Sequence, residues 1–367
     1  LTPVPSVKTG DKELNPNTDF TVSYANNINT GEGYATVEGC GNYTGTALGT
    51  FKIVKKEEPG INRVSGNTRY DTMASLCQKG NWGQGGTVVL AYGANYPDAL
   101  AAAALAGDTD APILLTDSSQ LTEQAKIEIA RLSPSKILAV GGPNAISEGV
   151  LSSAKNAAPN AEIKRIWGQT RYETSLNIMD ELCGRSNTVI VATGTNFADA
   201  LSISPYSYAT GSPVILCDPS TGLSEDALTK IRNGGYTNAV IVGGKNAVST
   251  SVENQLKQNG VATIKRLAGE TRFETSQLIA DFELSQQLGF GVDGIALATG
   301  LNFPDALAAG PVAGRKLTPL LLVDSGASSA AQWLNAHAND INGALIVGGE
   351  NAVTPADAQT LKKAMNI

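Results

Sequence analysis

Short apolar runs alternate with amphipathic stretches along most of the chain. The first complete set of such runs lies between residues 87 and 166. Four runs are short, apolar and bounded by polar or turn-forming residues, as is typical of buried strands; they lie at 87–91, 112–116, 136–140 and 162–166. Helix-like stretches separate them, at 96–106, 121–132 and 147–157. The alternation predicts α/β architecture with a doubly wound parallel sheet.

This pattern occurs three times, because four sequence blocks recur in the same order. Arg-x-x-Gly-x-Thr-Arg begins at Arg63, Arg165 and Arg266, at offsets of 102 and 101 residues. Three further blocks follow it. An Asn-aromatic-x-Asp-Ala-Leu block begins at residues 95, 196 and 302, and an apolar block that starts with Pro begins at 112, 213 and 319. A Val-Gly-Gly-x-Asn-Ala block begins at 140, 242 and 347. A period near 100 residues is too long for a solenoid unit. We therefore predict three tandem α/β domains, at 59–161, 162–262 and 263–367.

The first 58 residues follow a different pattern. Apolar positions alternate at Phe20, Val22 and Tyr24, further β-like stretches lie at 35–37 and 49–54, and turn-forming residues such as Asn26-Asn27 separate them. We predict a small all-β module at 1–58, a sandwich of the immunoglobulin-like type. A polar linker with a Pro59-Gly60 break follows it.

Composition narrows the classes of function. The formal net charge of −7 argues against a nucleic-acid-binding protein, which normally carries a basic excess. A single histidine, His337, cannot build a His-based metal site, so we predict no metal. No apolar run approaches the ~18 residues of a membrane span. The chain begins at Leu1 without Met, so we expect a mature or excised piece of a longer protein.

Nucleotide and cysteine chemistry find little support. The glycine-rich run Gly83–Gly86 precedes a strand instead of following one and has no glycine at the sixth position, so it does not fit a dinucleotide fingerprint. Gly244-Lys245 lacks the upstream Gly and the following Ser or Thr of a phosphate-binding P-loop. We therefore predict no cofactor. The four cysteines show no Cys-x-x-Cys spacing, and we interpret them as small buried hydrophobic residues, with a disulfide left open.

The repeated polar residues have two interpretations each. Asp98, Asp199 and Asp305 fit helix capping, with Asn95 as a helix N-cap, or a catalytic carboxylate, although none has an evident partner base in its own copy. The Gly-Gly pairs fit tight turns or close approach to a ligand. Aromatic residues near strand ends fit core packing or stacking on sugars; they are Tyr92, Tyr96, Phe197, Tyr206, Tyr208 and Phe303.

Paired arginines recur at a spacing of six in a chain with few charges, as Arg63/Arg69, Arg165/Arg171 and Arg266/Arg272. They fit local ion pairs at the entry to a helix, or a grip on phosphate or carboxylate groups of an anionic polymer. Because ligands of parallel sheets bind beyond the carboxyl ends of the strands, we predict the binding rim there. Three loops fall at this edge: the Asn-aromatic-x-Asp loop, the loop after the Pro-led block and the Gly-Gly-x-Asn-Ala loop.

These four blocks, in triplicate from about Arg63 to the end, resemble the cell wall binding repeat 2 family of Gram-positive surface proteins. The stretches Thr-Asp-Phe-Thr-Val-Ser-Tyr at 18–24 and Gly-Asn-Tyr-Thr-Gly-Thr at 41–46 resemble immunoglobulin-like repeats of bacterial surface proteins. The first resemblance implies three repeats in a pseudo-threefold arrangement, an extracellular location at the cell wall, and non-covalent, non-catalytic anchoring to an anionic secondary wall polymer.

The resemblance also extends the set of candidate residues. The Pro-Ile-Leu-Leu block is implicated in binding in this family, which implies a role for Ile113, Leu114 and Leu115. The other two copies depart from it, reading Pro-Val-Ile-Leu and Pro-Leu-Leu-Leu. The full set of candidate polymer-binding residues is Arg63, Arg69, Arg165, Arg171, Arg266, Arg272, Asn95, Asn196, Asn302, Ile113, Leu114 and Leu115. The alternatives are a structural or adhesive surface fragment and a wall hydrolase.

Overall fold

The computed structural model describes Pro3 and residues 5–25, 31–53 and 60–367, and it divides into two compact units, Leu1–Glu58 and Pro59–Ile367. The described strands of the first unit are antiparallel. They are β1 (Lys8–Thr9), β2 (Lys12–Glu13), β3 (Phe20–Ala25), β4 (Gly31–Gly39) and β5 (Thr46–Ile53). β1 pairs with β2, and β3, β4 and β5 form a three-stranded sheet.

The predicted β character of the first unit is confirmed, whereas its immunoglobulin-like type stays a prediction. The alternation around Val22 lies in β3, and the stretch at 35–37 lies within β4. The predicted turn at Asn26-Asn27, Val54 and the linker up to Pro59 lie outside the described residues.

The second unit contains three copies of one strand–helix sequence. The first copy has β6 (Gly60–Val64), α1 (Arg69–Gly80), β7 (Thr87–Tyr92), α2 (Pro97–Ala101), α3 (Ala103–Asp108), β8 (Ile113–Thr116), α4 (Glu123–Leu132), β9 (Lys136–Val140) and α5 (Glu148–Ala157). The second has β10 (Glu162–Ile166), α6 (Arg171–Met179), β11 (Thr188–Thr193), α7 (Ala198–Ser202), α8 (Ser204–Thr210), β12 (Val214–Cys217), α9 (Glu225–Asn233), β13 (Asn238–Val242) and α10 (Thr250–Gln258). The third has β14 (Thr263–Leu267), α11 (Arg272–Ser285), β15 (Ile295–Thr299), α12 (Pro304–Leu307), α13 (Ala309–Lys316), β16 (Leu320–Val323), α14 (Ser328–Ala336), a short 3₁₀ turn (Ala338–Asp340), β17 (Gly343–Val347) and α15 (Pro355–Ala364).

Each copy centres on a four-stranded, all-parallel sheet, which confirms the predicted fold class. The strand orders are β8-β7-β9-β10, β12-β11-β13-β14 and β16-β15-β17-β6. In each sheet the strand that follows the first central strand pairs on one side of it, and the next strand along the chain pairs on its other side, as β8 and β9 do with β7. The chain thereby creates a topological switch point between the two central strands, where open parallel sheets bind ligands.

The copies exchange strands. The strand that opens the second copy, β10, pairs with β9 of the first copy, and β14 of the third copy pairs with β13 of the second. The strand that opens the first copy, β6, pairs with β17 of the third copy, from Gly60↔Gly343 to Val64↔Val347. The exchange therefore closes the three copies into a ring.

A shared apolar core lies where the three copies meet. The helices α3, α8 and α13 pack against one another, and one continuous cluster of buried side chains includes residues of all three copies. Two further clusters fill the outer parts of the second and third copies. Within the described ranges, we find no helix with the length and apolar character needed to cross a bilayer.

Two local predictions need correction. The helix expected at 96–106 is two short helices, α2 and α3, that meet at Ala102. The capping box expected of Asn95 and Asp98 is wrong, because Tyr96 is the N-cap of α2 and makes no side-chain cap hydrogen bond. Side-chain caps instead begin α1, α6 and α11, where they are provided by Thr68, Thr170 and Thr271.

The cysteines are all free. Cys77 and Cys217 are buried, as expected of small apolar residues, whereas Cys183 is exposed. Burial raises the pKa of the Cys217 thiol to about 12.

Candidate functional site

Two open cavities lie at equivalent places between successive copies. The first cleft, between copies one and two, has a volume of about 330 Å³, and the second cleft, between copies two and three, has a volume of about 450 Å³. Each cleft opens beyond the carboxyl ends of the strands, at the switch point between the two central strands. The position agrees with the binding edge expected of a doubly wound sheet.

Three loops line each cleft. In the first, Asn95 and Asp98 follow β7, Gly142–Ala145 follows β9, and 167–171 follows β10 of the next copy. In the second, Asn196 and Asp199, then 244–247, then 269–272 take these places. Two of the three predicted rim loops therefore line the clefts, and their role in binding stays a prediction. The loop after the Pro-led block contributes no residue to either cavity.

The three repeated aspartates each lie against a glycine, and Asp98 and Asp199 line the first and second clefts. Gly141, Gly243 and Gly348 have φ of 130°, 108° and 110°, and a Cβ on them would lie 3.0, 2.5 and 2.8 Å from the Oδ2 of Asp98, Asp199 and Asp305. Any side chain there would strain the backbone and displace the carboxylate. The first glycine of each Gly-Gly pair is thus required both for the turn and for the close approach of the aspartate.

Desolvation raises the pKa of the two aspartates that line the clefts. Desolvation raises the pKa of Asp98, and a hydrogen bond from Thr174 and the charge of Arg171 partly oppose it. Desolvation likewise raises the pKa of Asp199, opposed by the charge of Arg272. In both clefts the groups that stabilise the carboxylate come from the next copy: the charge of Arg171 and the Thr174 side chain act on Asp98, and the charge of Arg272 acts on Asp199.

The first arginine of each pair fastens neighbouring copies together. Arg63 donates from Nη1 to the Gly348 carbonyl (2.7 Å) and from Nη2 to the Val353 carbonyl (2.8 Å). Arg165 donates to the Gly141 carbonyl (2.9 Å) and pairs with Glu148 (2.8 Å). Their counterpart Arg266 makes the same type of contacts, to the carbonyls of Gly243 and Val248 and to Glu253. These guanidinium groups hold the Gly-Gly loop of the preceding sheet.

The second arginine of each pair lies at the ring axis. Arg69, Arg171 and Arg272 each donate to the glycine carbonyl that follows the first central strand of their own copy, at 2.8, 2.6 and 2.8 Å. Each also lies over an aromatic ring of the preceding copy: Arg69 over Phe303, Arg171 over Tyr96 and Arg272 over Phe197, at 5.8, 6.0 and 5.2 Å. Arg171 and Arg272 line the two clefts.

The three aromatic rings contact one another. The centroids of Tyr96, Phe197 and Phe303 are 5.3–5.8 Å apart, in edge-to-face or tilted pairs. The core-packing interpretation therefore applies to this trio, and also to the buried Tyr206 and Tyr208. Tyr92 instead lines the first cleft. The mutual contact, with one ring from each copy, gives the unit its pseudo-threefold centre.

The remaining predicted residues divide by exposure. Asn95, Asn196 and Asn302 are exposed, and the Oδ1 of each accepts a hydrogen bond from the next backbone N–H at 2.8–3.0 Å. This leaves their amide N–H groups toward solvent. Ile113, Leu114 and Leu115 form strand β8 and are at most 3% exposed. Their side chains pack in the core and do not reach the clefts.

Several residues that line the clefts are missing from the set of candidate residues predicted from the sequence. Trp167, Gln169 and Thr170 precede α6, and the exposed Asn144 and Asn246 follow the Gly-Gly pairs. The signal for the asparagines was present in the Gly-Gly-x-Asn repeat. Trp167 gives no such signal, because Ser65 and Ala268 occupy its place in the other copies. Among the described residues, no group of three or more His, Cys, Asp or Glu is placed to hold a metal ion.

Comparisons with known proteins agree with this architecture. The chain is 32% identical over 283 residues to the amidase enhancer of Bacillus subtilis (strain 168), across 77% of this chain and 37% of that protein. It is 27% identical over 302 residues to N-acetylmuramoyl-L-alanine amidase LytC of the same organism, across 82% of this chain and 58% of that protein. The chain therefore spans only about a third to three fifths of these relatives.

Two solved structures share the fold. Cwp6 from Clostridium difficile superposes with a TM-score of 0.75 at 20% identity, over 93% of this chain and 59% of that one. Cwp8 from the same organism gives a TM-score of 0.74 at 22% identity, over 95% of this chain and 63% of that one.

The model of cell wall binding domain 2 (CWB2) matches three successive segments, 63–151, 165–253 and 266–357. They coincide with the three repeated copies and cover most of the chain. The chain therefore belongs to the cell wall binding domain 2 family, which places it at the cell wall or cell surface.

Proposed function

We propose that this chain is a non-catalytic anchoring module that binds an anionic secondary cell-wall polymer through the repeated clefts between its copies. The observation that carries the proposal is the recurrence of one lining at two interfaces. An exposed asparagine pair, a half-buried aspartate and a cross-copy arginine stand at equivalent positions in both clefts. The interface between copies three and one carries the equivalent residues Asn302, Asp305, Asn351 and Arg69.

The electrostatics of the clefts support an anionic ligand in spite of the net charge of −7. Arg171 and Arg272 each use one N–H on a backbone carbonyl and lie half-buried at the cleft, so their other donors can face a phosphate or carboxylate. The charge that meets the polymer is thus local to the cleft, whereas the net charge is a property of the whole surface.

The proposal that the module is non-catalytic rests on the partners of the aspartates. Hydrolytic chemistry with carboxylates normally uses two of them, one as acid and one as base or nucleophile. The charged group that acts on Asp98 is Arg171 and the one that acts on Asp199 is Arg272, so each aspartate is paired electrostatically with a cation of the next copy and not with a second carboxylate. Such pairing suits a structural or binding carboxylate.

Retention on purified walls tests the proposal. The protein is incubated with Gram-positive walls before and after chemical removal of their anionic polymer, at increasing salt. We expect retention on intact walls, loss on stripped walls, and weakening with salt because exposed charge contacts are screened. Equal retention on stripped peptidoglycan would overturn the polymer assignment.

Variants locate the contact. The double variant Asn144→Ala/Asn246→Ala removes exposed side chains from both clefts without touching the core, and we expect weaker retention. Ile127→Ala, on the exposed face of α4, is the matched control, with Ile127 54% exposed and outside both clefts. Release of reducing sugar or peptide from the walls during the incubation would contradict the non-catalytic part of the proposal.

A further inference from the structure

The clefts share their polar lining, but other lining residues differ. The first cleft is lined by Tyr92, Pro143, Trp167 and Gln169, whereas the second has Lys245 and Glu270 at the places of Pro143 and Gln169. The counterparts of Tyr92 and Trp167 in sequence are Thr193 and Ala268, which do not line the second cleft. The first set contains two aromatic side chains and no charge. The second contains a lysine and a glutamate and no aromatic side chain. The two sites therefore offer different chemistry to the same polymer.

Trp167 is the feature that most separates them. It is 36% exposed, although large apolar side chains in this unit are mostly buried. A Cβ on Gly142 would lie 2.8 Å from its Cε3 and 3.4 Å from its Cζ3, so the indole packs directly on a bare backbone. Gly142 supports the ring from one side, and the exposed remainder faces the cleft.

The polar edge of the indole is also available. Within the part of the chain that the structure describes, no group accepts a hydrogen bond from the Trp167 Nε1–H; the backbone carbonyl of Trp167 accepts one from Asn177. Gln169, Asn144 and Asn95 line the same cavity with exposed amides. A flat apolar ring surrounded by amide donors and acceptors matches a pyranose ring, which presents C–H groups on its face and hydroxyls at its edge.

We propose that the first cleft binds a pyranose ring of the wall polymer, stacked on the Trp167 indole and hydrogen-bonded at its edge by Gln169, Asn144 and Asn95. The second cleft, which is lined by Lys245 and Arg272 and by no aromatic side chain, binds an anionic group of the polymer without a stacked ring. This inference rests on the proposed function and assigns to Trp167 the preference of the first cleft for a sugar ring, which the other copies, with Ser65 and Ala268 at its place, do not share.

Tryptophan fluorescence tests the inference directly. The other two indoles are each 6% exposed and internally bonded, Trp82 to the Tyr208 hydroxyl and Trp333 to Asp281. Acrylamide quenching therefore reports mainly on Trp167. The probe is the neutral glycan fraction that hydrofluoric acid releases from the wall. The control is poly(glycerol phosphate), which carries charge but has no sugar ring. We expect a blue shift and reduced quenching with the glycan fraction, and neither with poly(glycerol phosphate).

Variants complete the test. We expect Trp167→Ala to weaken glycan binding roughly tenfold, the loss typical of a central aromatic contact, and Trp167→Phe to restore most of it. Ile127→Ala should bind as the wild type. Unchanged quenching with the glycan fraction, or equal wall retention of Trp167→Ala and wild type, would overturn the inference while leaving wall binding intact. Failure of the wild type to bind intact walls would instead overturn the proposed function, and the inference with it.

Discussion

At the scale of single residues, the same side chain performs two tasks according to what surrounds it. Arg63, Arg165 and Arg266 have their donors occupied by backbone carbonyls and carboxylates of the preceding copy, whereas Arg69, Arg171 and Arg272 each make one carbonyl contact and cover an aromatic ring. The sequence alone left both roles open for every arginine. Their separation depends on partners that are distant in sequence, such as Gly348 and Val353 for Arg63, 285 and 290 residues away, which local pattern does not contain.

Glu283 is the most strongly perturbed acid in the described part of the chain. It is fully buried on α11, its Oε1 accepts from the Tyr206 backbone N–H at 3.1 Å, and its Oε2 has no partner among the described residues. Desolvation raises the pKa of Glu283 well above 4.5. The folded state thus binds a proton that the unfolded state releases above that pH.

This linkage predicts a pH-dependent loss of stability. Because the folded pKa is raised, the free energy of unfolding decreases as pH rises from about 4.5 toward the folded pKa, at about 1.4 kcal/mol per pH unit. Glu283→Gln is neutral throughout, so we expect it to lose this slope and to be more stable than wild type at pH 7. Urea unfolding from pH 5 to 8 measures both quantities.

The control is Glu123→Gln, on the exposed start of α4, which should retain the wild-type pH profile. If Glu283→Gln retains the wild-type slope as well, Glu283 does not bind the proton inferred for it.

At the scale of elements, strand exchange is the main feature of the unit. Each sheet is completed by the first strand of another copy, and the sheet of the third copy needs β6 from the other end of the unit. Arg63 secures this closure with two hydrogen bonds, to Gly348 and Val353. The stability of the third sheet therefore depends on residues at the beginning of the first copy.

Arg63→Ala should weaken the closure. Removal of two charge-assisted hydrogen bonds to backbone carbonyls is expected to cost about 2–3 kcal/mol. Amide hydrogen exchange should increase in β6 and β17, while β11 and β13 of the second copy keep wild-type protection.

Lys126→Ala, which removes only an exposed ion pair with Glu123, is the control and should change stability by less than about 0.5 kcal/mol. Exchange that increases equally in all three copies after Arg63→Ala would contradict a local role for the closure.

The elements themselves were largely predictable, and their pairing was not. The run 87–91 was expected as a strand and is β7, because four consecutive buried apolar residues suit only the middle of a covered sheet. The run 162–166 was also expected as a strand, but nothing in its pattern indicates that its partner is β9. Likewise the sequence left helix capping and catalysis open for Asp98, because the residues that act on it, Thr174 and Arg171, belong to the next copy. Hydrophobic periodicity identifies an element and its buried face, whereas the neighbouring element is set by packing of the whole unit.

At the scale of the whole molecule, folding and binding depend on the same interfaces. Each cleft takes two walls from one copy and the third from the next, and the arginine of one copy lies over the aromatic ring of another. A single copy would therefore contain only part of a cleft and an incomplete sheet. This explains physically why the repeats form one unit with a common core, and why the site residues of one copy are fixed by the fold of its neighbour.

Because the clefts are held in one rigid ring, they can bind successive units of one polymer together. Tethering converts later contacts into intramolecular ones, so affinity for a long polymer should exceed that for a short fragment by roughly 10²–10⁴-fold. Asn144→Ala, Asn246→Ala and Asn351→Ala remove exposed side chains at equivalent places. When these substitutions are combined one after another, we expect wall retention to fall far more steeply than affinity for a short fragment. Sedimentation with walls measures the retention, and calorimetry measures the affinity for the fragment. Equal affinities for fragment and wall would show that the clefts act independently, and the ring would then serve to build each cleft without coupling them.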